Sequence, residues 1–430
     1  MSRPGSFDAL DDWLGWLETL SPNAIDLGLE RIRKVLGRLN LAKAARVITV
    51  AGTNGKGSSV VMLEALLAGS GESVASYTSP HLHVFNERIR VNGKAVTDQE
   101  IVTAFERVES VRNDVALTYF EFGTLAALVI FDKARTANVI LEVGLGGRLD
   151  AVNAVEPDAC LITNVTLDHC DWLGDDVESI AVEKAGIMRA DTPVVFGSAT
   201  LPEAIASAAQ QTGAELIVAG RDFQFADTGD QEWRWTGRGR TIDGLTRPSL
   251  EGQHQLQNAA AVLALIESLG LTSILQAQTI NQALAALVLP GRLQRIRVAG
   301  NAFVVDVAHN ADSARALSAF IGALRDIDRV ITVIGVLAGK DLDAMIRELE
   351  PVVHRWIACT ADAANALPAD DLAAQVVQTT GKPCLIAGSV EAALVSAQDA
   401  ATGADLIVVT GSFHTVGPAL RWLDDFRCAR

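Results

Sequence analysis

The sequence predicts an α/β protein: a P-loop parallel-sheet domain followed by a smaller, Rossmann-like α/β domain. Three observations carry that expectation. From Arg46 onward, short β-branched apolar runs alternate with helical runs, the pattern of a parallel sheet whose crossover helices cover its faces. One of those runs, Val47 to Ala51, empties into a glycine-rich loop just before a helix. The alternation then restarts after Leu289-Pro290-Gly291, a turn signal that sets expected domains of 1–290 and 291–430.

The elements follow in order. Phe7, Leu10, Trp13, Leu14, Leu17 and Leu20, then Leu29, Ile32, Leu36 and Leu39, recur at helical spacing and predict two amphipathic helices. VITVAG reads as a strand and SSVVMLEALLAGSG as its helix; NVILEV and ACLITNV are strands ahead of the helix SIAVEKAGIM. PVVFG, an alanine-rich helix and ELIVAG complete the first series. Between Arg221 and Leu250 the texture changes to aromatic alternation broken by Gly and Asp, as in short antiparallel strands. Trp233 and Trp235 beside arginines resemble a base-stacking platform, but in so acidic a chain they read as a surface hairpin. Helices at NAAAVLALIESLG and INQALAALV close the first domain, and AFVVDVAHN, ARALSAFIGALRDI, RVITVIGV and DLIVVTGS build the second.

Composition narrows the function. The 430 residues are 49% apolar and 20% charged, enough for packed cores and unlike a disordered or fibrous chain. A net charge of -16 argues against a nucleic-acid partner, so any positive site for an anion must be local. The longest apolar run, TLAALVIFDK, falls well short of the roughly 20 residues that span a bilayer. The opening MSRPGSFDALDDW has no apolar signal core. No membrane partner and a cytoplasmic location are expected. Cys160, Cys170, Cys359, Cys384 and Cys428 show no metal-finger spacing, consistent with idle thiols in a reducing compartment.

The strongest chemical signal is Gly52-Thr53-Asn54-Gly55-Lys56-Gly57-Ser58 at the strand-to-helix junction. Glycines let successive N–H groups face phosphate oxygens, Lys56 adds a point charge, and a helix N-terminus favours an anion. A phosphate loop needs Mg²⁺, and Mg²⁺ needs hard oxygen ligands. Glu142 ends the run Val139-Ile140-Leu141 and precedes Val143-Gly144-Leu145-Gly146-Gly147-Arg148-Leu149-Asp150. A carboxylate in so apolar a strand is costly unless it is paired or bound to metal. Metal ligation is the preferred reading, and an ion pair with Arg148 the plainer alternative.

These motifs resemble the folylpolyglutamate synthases, members of the wider group of ATP-dependent Mur-type amide ligases. The likeness runs through the phosphate loop, Ser79-Pro80-His81-Leu82, Leu141 to Asn153, Thr163-Asn164 with Leu167-Asp168-His169, and Glu183 to Ile187. It continues through Leu289 to Arg292, Asp306 to Asn310, and Gly411 to His414. Leu117 to Phe122 is similar to the pterin-binding segment of the bacterial bifunctional members, which are both dihydrofolate synthase and folylpolyglutamate synthase.

The resemblance implies a mechanism. ATP phosphorylates a carboxylate, and the amine of L-glutamate attacks the acyl phosphate. It implies Mg²⁺ at two sites, with Ser79 and Glu142 at one and His169 at the other. Lys184 matches an N-carboxylated lysine, which ligates metal as a carboxylate. Lys56, His169 and Lys184 are the expected catalytic groups. Asn258, Arg292 and Asp306 match ATP contacts, and His309 and Ser412 match glutamate contacts. Thr118, Tyr119, Phe120, Glu121, Leu149, Asp150 and Ala151 are the expected pteroate pocket. Taken one at a time, Lys184 reads as a solvated helix lysine, His169 as a structural histidine, and Phe120 and Phe122 as core.

The expected substrates are ATP, dihydropteroate, folates and L-glutamate, handled by a monomer in an interdomain cleft. Cell-wall ligases carry a substantial UDP-binding domain ahead of the loop, whereas only two helices precede Gly52 here. A polyglutamylation-only enzyme shares the same chemistry and stays open. A guanine-nucleotide switch would want Asn-Lys-x-Asp, which the sequence lacks.

Overall fold

The computed structural model describes residues 9–21, 26–42, 46–229 and 231–428; Phe7 and the side chain of Cys428 lie outside them. The chain forms two compact units. The first unit comprises the chain up to Val165 with Leu173–Ser249 and Leu256–Leu287. Its sheet contains β1 (Arg46–Ala51), β2 (Val74–Tyr77), β3 (Ile89–Val91), β4 (Lys94–Ala95), β5 (Asn138–Glu142), β6 (Ala159–Ile162), β7 (Pro193–Phe196) and β8 (Glu215–Val218). The strand order is β4-β3-β2-β5-β1-β6-β7-β8. From β2 to β8 all pairs are parallel, so the expected parallel sheet is present. The antiparallel β3–β4 hairpin extends one edge beyond that expectation. Asn92 and Gly93 link the two strands with positive φ, the Asn-Gly signal of a two-residue hairpin turn.

The two N-terminal helices, Leu10–Leu20 and Glu30–Leu39, bury one stripe each against the helices Asp98–Arg112 and Tyr119–Ala134. Trp13 and Phe122 meet there with Trp16 and Phe105 at ring separations of 5.4–6.2 Å. Phe122 is therefore core, and truncating it to Ala removes a contribution of about 3–5 kcal/mol.

The segment after Arg221 forms a three-stranded antiparallel sheet of β9 (Gln224–Gly229), β10 (Glu232–Thr236) and β11 (Thr241–Thr246). The antiparallel reading holds, but the surface placement does not. Trp233 and Trp235 are fully buried, and their indole N–H groups donate to the carbonyls of Thr246 and Ala260, both at 3.0 Å. Ala260 lies on the helix His254–Ser268, which covers the face that the alternation left unassigned.

The second unit comprises Val288–Arg430 and two earlier segments, Thr166–Trp172 and Leu250–Gln255. Its strands are β12 (Gln294–Val298), β13 (Asn301–Val305), β14 (Val330–Ile334), β15 (Arg355–Cys359), β16 (Cys384–Ala387) and β17 (Leu406–Thr410). They run β12-β13-β17-β14-β15-β16, parallel except for the edge pair β12–β13. Every residue of β14 and β17 is buried, as expected for strands covered on both faces. Cys160, Cys170, Cys359 and Cys384 are free thiols. Among the described residues, no helix is long and apolar enough to cross a membrane.

Candidate active site

In the first unit the carboxyl ends of β1, β2, β5 and β6 share one edge, where ligands bind in open α/β sheets. β1 ends at Ala51, and the following helix starts at Lys56, inside the glycine-rich motif rather than after it. Gly57 and Ser58 therefore sit in the first helical turn, where N–H groups have no intrahelical acceptor. The loop is held open by its neighbours. Asn54 N–H donates to Asn164 Oδ1 at 2.9 Å, Thr53 N–H donates to the Asn164 carbonyl at 3.1 Å, and Thr163 Oγ1 donates to the Asn54 carbonyl at 2.6 Å. Gly52 has φ 141°, and a Cβ there would collide with Thr163 Oγ1. Lys56 Nζ donates to the carbonyls of Gly52 at 2.9 Å and Thr53 at 3.1 Å. Asn258 packs over Gly55, where a Cβ would lie 2.6 Å from its Oδ1.

Beside this loop, the β1–β5 register pairs Val50 with Glu142. Glu142 is buried, and its Oε2 accepts the N–H of half-buried Ser79 at 3.2 Å. The strand placement and burial expected for Glu142 hold, while Arg148 pairs with Glu183 at 2.7 Å. The loop after Glu142 lies directly on the helix Val177–Ala185, and Arg148 N–H donates to the Glu183 carbonyl at 2.7 Å. Lys184 is buried on that helix, which corrects the reading of it as a solvated lysine. Gly147 permits the approach: a Cβ would lie 2.8 Å from the Glu183 carbonyl and 3.2 Å from Lys184 Cα. Because backbone atoms must shift, Gly147→Ala is expected to cost about 1–3 kcal/mol and to lower turnover. Urea unfolding checks the first effect, and unchanged stability would refute the close-contact argument.

The pterin-like segment opens the helix Tyr119–Ala134. Thr118 caps it and forms a reciprocal capping box with Glu121. Glu121 Oε2 accepts the Thr118 N–H at 2.7 Å, and Arg31 Nε donates to Oε1 at 3.2 Å. Burial raises the Glu121 pKa against those bonds. Half-buried Phe120 packs on Gly144, where a Cβ would lie 2.8 Å from the ring, and its ring is 5.7 Å from that of Tyr77. Tyr119 has its hydroxyl pushed to about 12 by burial. Asp150 accepts N–H bonds from Gly144 at 3.0 Å, Leu145 at 2.9 Å and Val152 at 3.0 Å. Burial nevertheless pushes its pKa up to about 6 against those bonds and the Lys56 charge. Half-buried Leu149 and buried Ala151 flank it. This first unit thus brings the phosphate loop, Ser79, Glu142, Asn258, Lys184 and the Phe120 and Asp150 segments together.

The remaining expected residues lie in the second unit. Arg292 stands 5.2 Å from the Phe413 ring. Asp306, just past β13, accepts the N–H groups of Leu293 and Ala308, both at 2.8 Å, so it braces the turn that carries Arg292. Burial raises the pKa of Asp306 against the Arg292 charge. His309 lies 6.3 Å from Phe413, and buried Ser412 shares a hydrogen bond with Thr415 at 2.9 Å. His169 sits in the 166–172 segment with φ 53°. Its neighbour Asp168 is buried and gathers Lys340, Asn310 and His309. Desolvation pushes the Asp168 pKa up, but the hydrogen bond from His309 and the charges of His309, His169 and Lys340 outweigh it and hold it far below the usual range. Sequence reasoning passed over Lys340, whose only signal is Gly339-Lys340-Asp341 after a buried strand.

His254 gives this unit an acid sensitivity. Burial and the charge of Arg292 lower its pKa to about 4, from roughly 6.5 in an unfolded chain. Its stabilising contribution is complete above pH ~6.5 and is lost as the pH falls towards 4, by up to roughly 3 kcal/mol. His254→Gln should flatten the pH dependence of urea unfolding in that window; an unchanged slope would refute the assignment.

The comparisons match both units. Residues 50–266 match the Mur ligase middle domain, and residues 291–413 match the Mur ligase glutamate ligase domain. The dihydrofolate synthase/folylpolyglutamate synthase of Escherichia coli (strain K12) is 39% identical over 422 residues, covering 98% of this chain and 97% of the relative. The chain belongs to the dihydrofolate synthase/folylpolyglutamate synthase family of Mur ligases. E. coli FolC in complex with DHPP and ADP superposes with a TM-score of 0.92 at 39% identity, covering 99% of this chain and 100% of that one. A bifunctional folylpolyglutamate synthase/dihydrofolate synthase with Mn, AMPPNP and L-glutamate bound gives 0.88 at 38% identity, covering 98% and 99%.

For a member of this family, the donor set fits a hard divalent cation. Among the described residues, no group of three or more His, Cys, Asp or Glu side chains is arranged to hold a metal ion by itself. Oxygen donors at the sheet edge include the buried carboxylate of Glu142, which accepts the N–H of Ser79, itself a hydroxyl-bearing residue. Mg²⁺ is commonly bound in this way, through one or two carboxylates with nucleotide phosphates and water completing the shell.

Proposed function

We propose that this chain is an ATP- and Mg²⁺-dependent ligase that adds L-glutamate to 7,8-dihydropteroate, giving dihydrofolate, and then to tetrahydrofolates. The observation that carries the reading is the phosphate loop set beside Glu142 and Ser79 in a chain that also bears a glutamate ligase domain. The γ-phosphoryl group passes from ATP to the pteroate carboxylate, releasing ADP and leaving an acyl phosphate. The glutamate amine then attacks the acyl carbon, loses a proton and expels inorganic phosphate. The transfer is chiefly a matter of positioning and charge neutralisation.

Residues Gly52, Thr53, Asn54, Gly55, Lys56, Gly57 and Ser58, with Asn258, would cradle the phosphates; Arg292 and Asp306, in the second unit, are carried over from the family resemblance as ATP contacts. Ser79 and Glu142 would hold one Mg²⁺ and His169 a second, and Lys184, if N-carboxylated, would supply a further oxygen ligand. When bound, the metal supplies charge neutralisation at the phosphoryl oxygens. Phe120 offers a stacking face to a flat pterin; Thr118, Tyr119, Glu121, Leu149, Asp150 and Ala151 shape the pocket around it. His309 and Ser412 receive the glutamate. In this reading residues 1–290 form the ATP- and pteroate-binding domain and residues 291–430 the glutamate domain, in a monomer working in the cytoplasm.

ADP release from ATP and Mg²⁺ with glutamate tests the proposal, comparing dihydropteroate, tetrahydrofolate and no acceptor. Release that requires dihydropteroate, with dihydrofolate as product, is expected alongside activity on tetrahydrofolate. Activity with tetrahydrofolate alone would reduce the enzyme to polyglutamylation. No stimulation by either acceptor would overturn the ligase reading.

A further inference from the structure

Four groups from three chain segments converge on the carboxylate of Asp168. Lys340 Nζ donates to Oδ1 at 2.6 Å, and the backbone N–H of His169 donates to the same oxygen at 2.9 Å. Asn310 Nδ2 donates to Oδ2 at 3.1 Å, and His309 Nε2 lies 3.3 Å from it. The other ring nitrogen of His309, Nδ1, donates to the Val307 carbonyl at 2.9 Å, so the imidazole is fixed at both ends. All these groups belong to the second unit. Lys340 has 15% of its side chain exposed and Asp168 6%. A pair this buried is disrupted by loss of either partner, because the remaining charge stays uncompensated.

We infer that Lys340 is a positioning residue for the glutamate site, acting through Asp168 on His309. The inference rests on the ligase reading above and adds a residue to it. Lys340 follows β14, His309 follows β13, and Asp168 arrives from a segment far earlier in the chain. One carboxylate therefore sets the His309 ring, orients the Asn310 amide and fixes the backbone entering His169. The Lys340 ammonium is the cation in closest contact with that carboxylate. Without it, Asp168 keeps its desolvation cost and loses its shortest side-chain bond, leaving His309 held firmly only at Nδ1. The effect then falls on an incoming dicarboxylate at His309 rather than on the nucleotide: the phosphate loop lies in the other unit, and the bonds to Asp168 come from Lys340, His169, Asn310 and His309, not from Arg292 or Asp306.

The test uses the full chain and the variants Lys340→Met, Lys340→Arg, Asp168→Asn and the double variant Lys340→Met/Asp168→Asn. Lys340→Met is expected to raise the KM for glutamate about tenfold or more, while ADP affinity measured by calorimetry stays unchanged. Lys340→Arg, which keeps a charged donor, should recover most of the loss. The double variant should be no worse than Asp168→Asn alone, because the effect passes through that carboxylate. Multiplying effects in the double variant would place Lys340 on the substrate itself and overturn the inference. A lowered melting temperature with an unmoved glutamate KM would overturn it too, leaving a structural ion pair. If Lys340→Met does not fold, Asp168→Asn decides alone, and an unchanged glutamate KM refutes the proposal. Wild-type protein that releases no ADP in response to glutamate would instead overturn the ligase reading.

Discussion

Lys56→Met is expected to slow ADP formation about 10³-fold with the chain still folded. The stability side of that expectation is local. Lys56 Nζ is bonded to the carbonyls of Gly52 and Thr53, on a half-buried side chain, so water replaces its bonds at a cost near 1 kcal/mol. The shape of the loop depends more on Asn164, Thr163 and the backbone of Gly52, which the substitution leaves intact. The catalytic side is larger, because in the proposed reading the ammonium at the first helical turn would stabilise negative charge that grows on the transferring phosphoryl group. Removing one preorganised charge-stabilising group commonly costs 10²–10³-fold or more. A 10³-fold loss corresponds to about 4 kcal/mol of barrier. Single-turnover ADP formation, with nucleotide affinity measured separately, tests this. Near-normal turnover would remove Lys56 from the catalytic set, and a loss confined to ATP affinity would make it a binding residue only.

The parts of the site that the sequence displays are those built from contiguous residues. Val47 to Ser58 reads as strand, loop and helix because the apolar period, the glycines and the helix start are all local. Glu142 reads as a strand-end carboxylate for the same reason. The pterin-like segment was only half legible. Thr118 and Glu121 have the Thr-x-x-Glu spacing of a capping box, and the structure shows both side chains engaged in that cap. A reading that assigns them to a ligand passes over the work they do for the helix. Trp233 and Trp235 illustrate a different limit. Period-two alternation reveals that one face of a strand is buried, but not which element covers it; here that element includes Ala260, 25 residues on. The Asp168 cluster was least legible of all, since Lys340 meets Asp168 across 172 positions. No local pattern marks such a pair, and a lysine after a strand looks like any solvated lysine until the fold closes over it.

Lys184 is where that limit bears most directly on chemistry. Replacing it with alanine should lower turnover about 10²–10³-fold, and small carboxylates such as acetate should restore part of the loss. Lys184 is 4% exposed, under a loop brought close by Gly147 and Gly186, each of which has no room for a Cβ. A bare ammonium at a metal-ligand position would repel Mg²⁺. The ammonium first gives up one proton; the free amine then exchanges an Nζ–H bond for an N–C bond to CO₂ with loss of a second proton, so the side chain passes from cation to anion. The same residue then contributes a hard oxygen donor instead of a competing cation. Two measurements separate this from ordinary packing. Wild-type activity should fall in CO₂-depleted buffer and return with bicarbonate, and Lys184→Ala should respond to acetate but not to bicarbonate. Full activity without CO₂ would exclude the carbamate, and a Lys184→Ala protein as active as wild type would exclude any catalytic part for this lysine. Loss of activity that neither addition restores, together with a lowered unfolding midpoint, would assign Lys184 to the packing between the loop and its helix.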